Sequence, residues 1–249
     1  MVLARMDIEQ IADDILADFH TEQKSQFPKT DIDGLATLFL RLSVKYTKLS
    51  DNGTLLGLTA YDATNAKITL NGVTTEIHLE RNSVLLDSMF LDQYLNAKEV
   101  TRREALRRFT LAHECSHQII FRLATSDIQD NLRKMYQKER SYDCFDLKSK
   151  EDWNEWQANT MGAALLMPRS VIRTYFERYQ RGLPLISYGG RFPRRERLAI
   201  SHLMGFFGVS QSMVKIRLKG LGLIVERPGW EYHDPTIIMQ PGMEENYGV

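Results

Sequence analysis

RRFTLAHECSHQIIF, residues 107–121, decides how the rest of the chain is read. Its centre, His113-Glu114-Cys115-Ser116-His117, fits the pattern H-E-x-x-H. On a helix, residues four apart share a face, so His113 and His117 aim two imidazoles at one point. That arrangement suits zinc, which accepts neutral His nitrogen in tetrahedral geometry. Glu114 points around the helix from both, where a carboxylate takes a proton from a metal-activated water rather than binding the metal. Phe109, Ala112, Ile119 and Ile120 make the flanks apolar, and no Gly or Pro interrupts the run. The ordinary alternative is a buried helix with two core histidines. The chain has six His in all, and two of them fall here with the Glu in register, which favours the metal. Cys115 faces away from the His pair and reads as a small buried side chain.

A catalytic zinc needs a third protein ligand and an open position. A third His six residues after His117, with Gly between, defines one class; Ile120 and Leu123 exclude it. The other class takes a Glu from a downstream helix. Glu139, Glu151 and Glu155 are the candidates, and Glu155 is best placed. It lies one turn into DWNEWQANTMGAALLMP, residues 152–168, an apolar helix able to pack antiparallel to the motif helix. The competing reading of Glu155 is a surface carboxylate near a helix start, where the dipole favours it anyway.

Upstream, residues 7–20 follow the 3.6 period with Ile8, Ile11, Ile15, Leu16 and Phe19, capped by Asp7 with Gln10 three residues on. Residues 31–42 repeat the form behind Asp31. Residues 43–87 change to short β-branched runs bounded by Asp51-Asn52-Gly53 and Asn71-Gly72, which predicts a small, mainly antiparallel sheet. The motif helix is expected to start near Thr101, with Glu104 completing a capping box. Residues 125–140 read as a helix, 141–150 as a loop, 170–181 as a short basic helix and 183–193 as a connector. Residues 194–224 read as helix, turn, helix, with Gly208 in the turn and Ser210 as the second cap. That unit is compatible with DNA recognition through Gln211, Lys215 and Arg217, and equally with plain helical packing, so DNA binding is possible but not favoured.

The chain has 249 residues, 43% hydrophobic and 26% charged, which describes an ordinary globular protein. Its net charge of zero is unevenly spread. Residues 169–227 hold 12 Lys and Arg against three acids, Glu177, Glu196 and Glu226, whereas residues 228–249 hold four acids and no Lys or Arg. Three parts are expected: residues 1–168 around the metal, a basic helical module over 169–227, and an irregular acidic tail over 228–249. MVLARMDIEQ offers no basic stretch before an apolar core, so no signal peptide is expected. No apolar run nears the roughly 20 residues of a membrane span. Cys115 and Cys144 make no disulfide framework. A cytoplasmic protein without membrane contact is expected; the sequence leaves its oligomeric state open.

Arg108-Phe109-Thr110-Leu111-Ala112-His113-Glu114, followed by Glu155-Trp156-Gln157-Ala158-Asn159 and Ala164-Leu165-Leu166-Met167-Pro168, resembles the ImmA/IrrE family of metallopeptidases. The likeness spans roughly Ile8 to Ile224. It departs at Ser116, where the family usually has Gly, and at Met161, where it often has Phe. About 25 residues follow Ile224, too few for the sensor domain that some relatives carry.

The resemblance implies an α+β fold with a zincin-like, thermolysin-type core and a helix-turn-helix-like module. It implies a zinc endopeptidase of the gluzincin type, with His113, His117 and Glu155 as ligands and Glu114 as general base. It also implies a regulatory protein substrate such as a helix-turn-helix repressor, in mobile elements or stress responses. Asn159, one turn after Glu155, is a candidate to hydrogen-bond a ligand His. Tyr188 and His202 are candidates for the oxyanion donor. Two rival readings stand beside the enzyme: a zinc-binding anti-repressor that grips without cutting, and a DNA-binding regulator acting through residues 194–224.

Overall fold

The computed structural model describes residues 3–23, 29–92, 96–137 and 150–232, without the side chains of residues 22, 23, 131, 133–137 and 150–152. Residues 141–149 of the expected loop, Glu139, Cys144, the side chain of Glu151 and most of the acidic tail lie outside these residues, and residue 150 already belongs to a helix.

Helix α1 (Arg5–Gln23) buries Ile8, Ala12, Leu16 and Phe19, the apolar face its periodicity marks. It starts before Asp7, whose carboxylate instead accepts from the Ala4 N–H (3.0 Å). Asp31 does cap the next helix, accepting from Gly34 N–H (3.0 Å). That helix, α2 (Ile32–Gly34), passes at once into a π-helical turn, Leu35–Phe39, and ends earlier than the period suggests.

Arg107 of the motif helix holds Asp33 through bonds of 2.7 and 2.8 Å. Those bonds, working against burial, keep the Asp33 carboxyl below its usual range. A depressed folded-state pKa means the stabilisation is present above the unfolded value and is lost as pH falls through the folded one. Asp33→Asn is therefore expected to cost about 1 kcal/mol at pH 7, kept small because Asp33 is half exposed. Urea unfolding should show the gap to wild type closing progressively below about pH 4.

Residues 43–87 form two sheets rather than one. Strands β1 (Ser43–Thr47), β5 (Ser83–Asp87) and β2 (Gly57–Ala60) make a three-stranded sheet in the order β1-β5-β2. β3 (Thr64–Leu70) and β4 (Val73–Leu79) form a separate hairpin closed at Asn71-Gly72, both with positive φ, as the Asn-Gly signal predicts. The β5–β2 and β3–β4 ladders are antiparallel, but β1 and β5 run parallel. Strand direction depends on the crossover between partners, which side-chain alternation does not encode. β5 is buried along its whole length. Val84 and Leu86 face the main core, and Leu85 faces a second cluster with Leu49, Ala60, Ile68 and Leu79.

The motif helix, α3 (Ala97–Leu123), begins one turn before Thr101. Asn96 accepts from Glu99 N–H (3.0 Å) while Glu99 accepts from Asn96 N–H (3.1 Å), a complete capping box that pre-empts the one expected at Thr101 and Glu104. Glu104 instead binds Arg107. α4 (Ser126–Gln137) follows, then α5 (Lys150–Leu166) and α6 (Arg169–Gln180). α5 runs antiparallel to α3. Glu155 lies beside His117, and Gly162 lies so close to Ala112 and His113 that a Cβ there would sit 3.2 Å from their backbone atoms.

The expected connector at 183–193 contains a strand, β6 (Leu185–Tyr188), paired in parallel with β7 (Ile224–Arg227). Both are four residues long, too short to show a period. Between them stand α7 (Arg194–Phe207) and α8 (Gln211–Gly220), with Gly208 left-handed in the turn and Ser210 accepting from Met213 N–H (3.3 Å). The core runs unbroken past residue 168: Ile8, Phe19, Leu111, Leu165, Phe176, Phe207 and Leu218 belong to one cluster. Arg217, expected among possible DNA-reading side chains, is 4% exposed and paired with Glu9 of α1. No described helix is long and apolar enough to cross a membrane.

Candidate metal centre

The i, i+4 spacing on α3 places the two imidazoles together, with His113 Nε2 3.0 Å from His117 Nε2. α5 brings Glu155 across from the other side. Its Oε2 lies 3.2 Å from His113 Nε2, and its Oε1 lies 3.5 Å from His117 Nε2. All three side chains offer ligand atoms within 4.8 Å of one another. A tetrahedral zinc with bonds of about 2.0–2.1 Å separates its ligand atoms by about 3.3 Å, so these distances surround the required value. Two imidazole nitrogens 3.0 Å apart share at most one proton, and a cation between them and the carboxylate resolves the lone-pair repulsion. The donor set and its spacing fit a metal ion.

Electrostatics agree with the geometry. Burial opposes charge on His113, yet hydrogen bonding to Glu155, the nearby Glu114 charge and Asn159 together raise its pKa. Burial alone would raise the Glu155 pKa, but bonds to His113 and His117 hold it well below the usual carboxylate range. Asn159 Oδ1 is 3.0 Å from His113 Nδ1. With Nδ1 donating to that oxygen, the Nε2 lone pair points inward, which is the tautomer a ligand needs. His117 is 4% exposed and Glu155 38%, so the cluster opens to solvent on its α5 side. Phe109 lies against His113, with ring centroids 6.3 Å apart. Cys115 is fully buried, that burial pushes its thiol up, and it stands outside the group of His113, His117 and Glu155.

Glu114 is 6% exposed and lies beneath β2, one of the two edge strands of its sheet, at Gly57. Gln118 fastens that strand to α3: its Nε2 donates to Thr59 Oγ1 (2.7 Å) and Ala60 O (3.0 Å). Asp87 N–H donates to Leu56 O (2.9 Å), so Gly57 and Leu86 are a non-hydrogen-bonded pair. The peptide groups of Gly57 and Thr59 therefore point away from β5, along an edge with no strand partner among the described residues.

Sequence reasoning missed Gly57 and Gln118. A Gly inside a strand is the available signal for the first, since it marks a bulge or a close approach of another group. Gln118 had no signal, because its partners lie nearly sixty residues away. Tyr188 and His202 are engaged with other aromatic groups. The Tyr188 ring stands 5.3 Å from that of Tyr232, and His202 Nδ1 lies 3.1 Å from Tyr175 Oη.

Residues 99–219 match the family model described as the IrrE N-terminal-like domain, peptidase M78. No curated protein matches the chain.

Proposed function

Taking residues 99–219 as a peptidase M78 domain of the ImmA/IrrE kind, we propose that the chain is a zinc-dependent endopeptidase of the gluzincin type. The observation that carries this reading is the convergence of His113, His117 and Glu155 from two helices, with Glu114 beside them and outside the ligand set. His113, His117 and Glu155 hold the ion, and Asn159 fixes the His113 tautomer. When bound, zinc supplies polarisation of the scissile carbonyl and lowers the pKa of a water toward neutrality. Glu114 takes the proton of the attacking water and returns it to the leaving amine. That edge of β2 offers the Gly57 and Thr59 peptide groups to an extended substrate, as strand addition requires. Tyr188 and His202 stand as the candidates to donate to the oxyanion.

In this reading, residues 1–168 carry the chemistry and residues 169–227 pack on them as the helix-turn-helix-like module. The substrate is a cytoplasmic regulatory protein, with helix-turn-helix repressors the first class to test. The DNA-binding alternative is weakened by the burial of Arg217, and Lys215 lies over the Phe192 ring, 5.1 Å from its centroid.

The test is metal removal. Protein stripped by a chelator should lose at least about 100-fold of its cleavage of unstructured peptides and of a purified helix-turn-helix repressor. One equivalent of zinc should restore it, with mass spectrometry locating internal cuts. Glu155→Ala should bind zinc too weakly to be restored. Zinc-loaded protein that leaves every substrate intact would overturn the proposal.

A further inference from the structure

Gly57 has no side chain at a place where β2 meets the carboxylate of Glu114. A Cβ there would lie 2.7 Å from Glu114 Oε1, 2.7 Å from Thr110 Cγ2 and 3.0 Å from Glu114 Cγ. Carbon atoms in good contact sit about 3.5–4.0 Å apart, so something would have to move. Gly57 is not among the residues with positive φ, so its backbone conformation does not call for glycine. The space does.

Which group would yield is also fixed by the surroundings. The strand cannot back away easily, because the fully buried Gln118 ties Thr59 and Ala60 to α3 and β5 holds its other edge. Thr110 is held by its hydroxyl, which donates to Leu106 O (3.0 Å), leaving the methyl toward the strand. Glu114 has the most rotatable bonds of the three, and the atom nearest the new Cβ is the far end of its side chain.

We propose that Gly57 is a positioning residue: the bare α-carbon of the edge strand sets where the Glu114 carboxylate stands beside the His113–His117 pair. The inference rests on Glu114 being the general base. Any side chain at position 57 displaces that carboxylate from the place where it meets the attacking water. The three atoms nearest a Cβ at that position belong to Glu114 and Thr110, not to a metal ligand.

The test is Gly57→Ala in the zinc-loaded, full-length protein. A displacement of about an ångström at a catalytic group costs on the order of 10²-fold. The expected result is a kcat lowered about 10- to 100-fold, with zinc content, thermal midpoint and KM for a short peptide close to wild type. A purely structural role would not lower kcat while leaving zinc content, thermal midpoint and KM in place. Glu114→Asp shortens the side chain by one methylene, so in the Gly57→Ala background its loss should be smaller than in wild type. Unchanged kcat in Gly57→Ala, or losses that simply multiply in the double variant, would overturn the proposal. Should Gly57→Ala fail to fold, Thr110→Ala removes the methyl that also crowds the new Cβ, and a kcat for Gly57→Ala in that background equal to that of Thr110→Ala alone overturns it equally. If wild-type protein cuts nothing, the endopeptidase reading fails and this inference falls with it. If wild type cuts, Glu114→Gln does not and Gly57→Ala cuts normally, only the role of Gly57 fails.

Discussion

Glu114→Gln is expected to lower peptide hydrolysis by about 10²–10⁴-fold while leaving bound zinc at the wild-type level. The two side chains have nearly the same shape, so the packing under Gly57 and against Thr110 survives the change. What disappears is the ability to accept a proton. The proposed ligand set is untouched, because the group that could hold the ion is His113, His117 and Glu155. The measurement is kcat/KM on a cleaved peptide with metal content determined on the same sample. This variant separates cutting from gripping. A zinc-organised anti-repressor has no use for a proton acceptor at position 114, so it would keep full activity in a repressor-relief assay. Retained zinc with retained activity would sink the proteolytic reading.

The centre of this site is legible in the sequence because its geometry is local. His113 and His117 are one helical turn apart, and no tertiary information is needed to place them together. Glu155 is legible at one remove, through the strength of its helix and the need for a third ligand. What stays hidden depends on pairings across long stretches of chain. The parallel β1–β5 ladder joins residues forty apart, and the β6–β7 ladder joins two strands too short to have a pattern. Gly57 and Gln118 act only where β2 is laid against α3. The polar start of α3 misleads in another way. Thr101 and Glu104 match a capping box as well as Asn96 and Glu99 do, and the helix takes the earlier pair because nothing between them breaks it. Arg217 shows the limit of composition. A basic segment reads as a surface for a partner, yet this guanidinium faces inward.

Arg217→Met is expected to destabilise the protein by about 3–5 kcal/mol. Arg217 is 4% exposed and Glu9 is 1% exposed. Both Arg217 Nη atoms donate to the Glu9 carboxylate, Nη2 to Oε2 at 2.7 Å, and its Nε donates to Met167 O (3.0 Å). Removing the guanidinium leaves a carboxylate buried without its counter-charge and a carbonyl without its donor, and both penalties fall on the folded state alone. The companion variant identifies the cause. Glu9→Leu with Arg217→Met removes both charges and should recover most of the loss, because a well-packed apolar pair can match a buried ion pair. Urea unfolding of wild type, single and double variants gives the comparison, and a double variant no more stable than the single would show that packing, not stranded charge, is at stake. The pair joins α8 to α1 directly and to the end of α5 through Met167, the helix that carries Glu155. α8 is thereby held against the body by the side chain that a base-reading helix would turn outward. A single variant with wild-type stability would release Arg217 from that duty and restore the DNA-binding alternative.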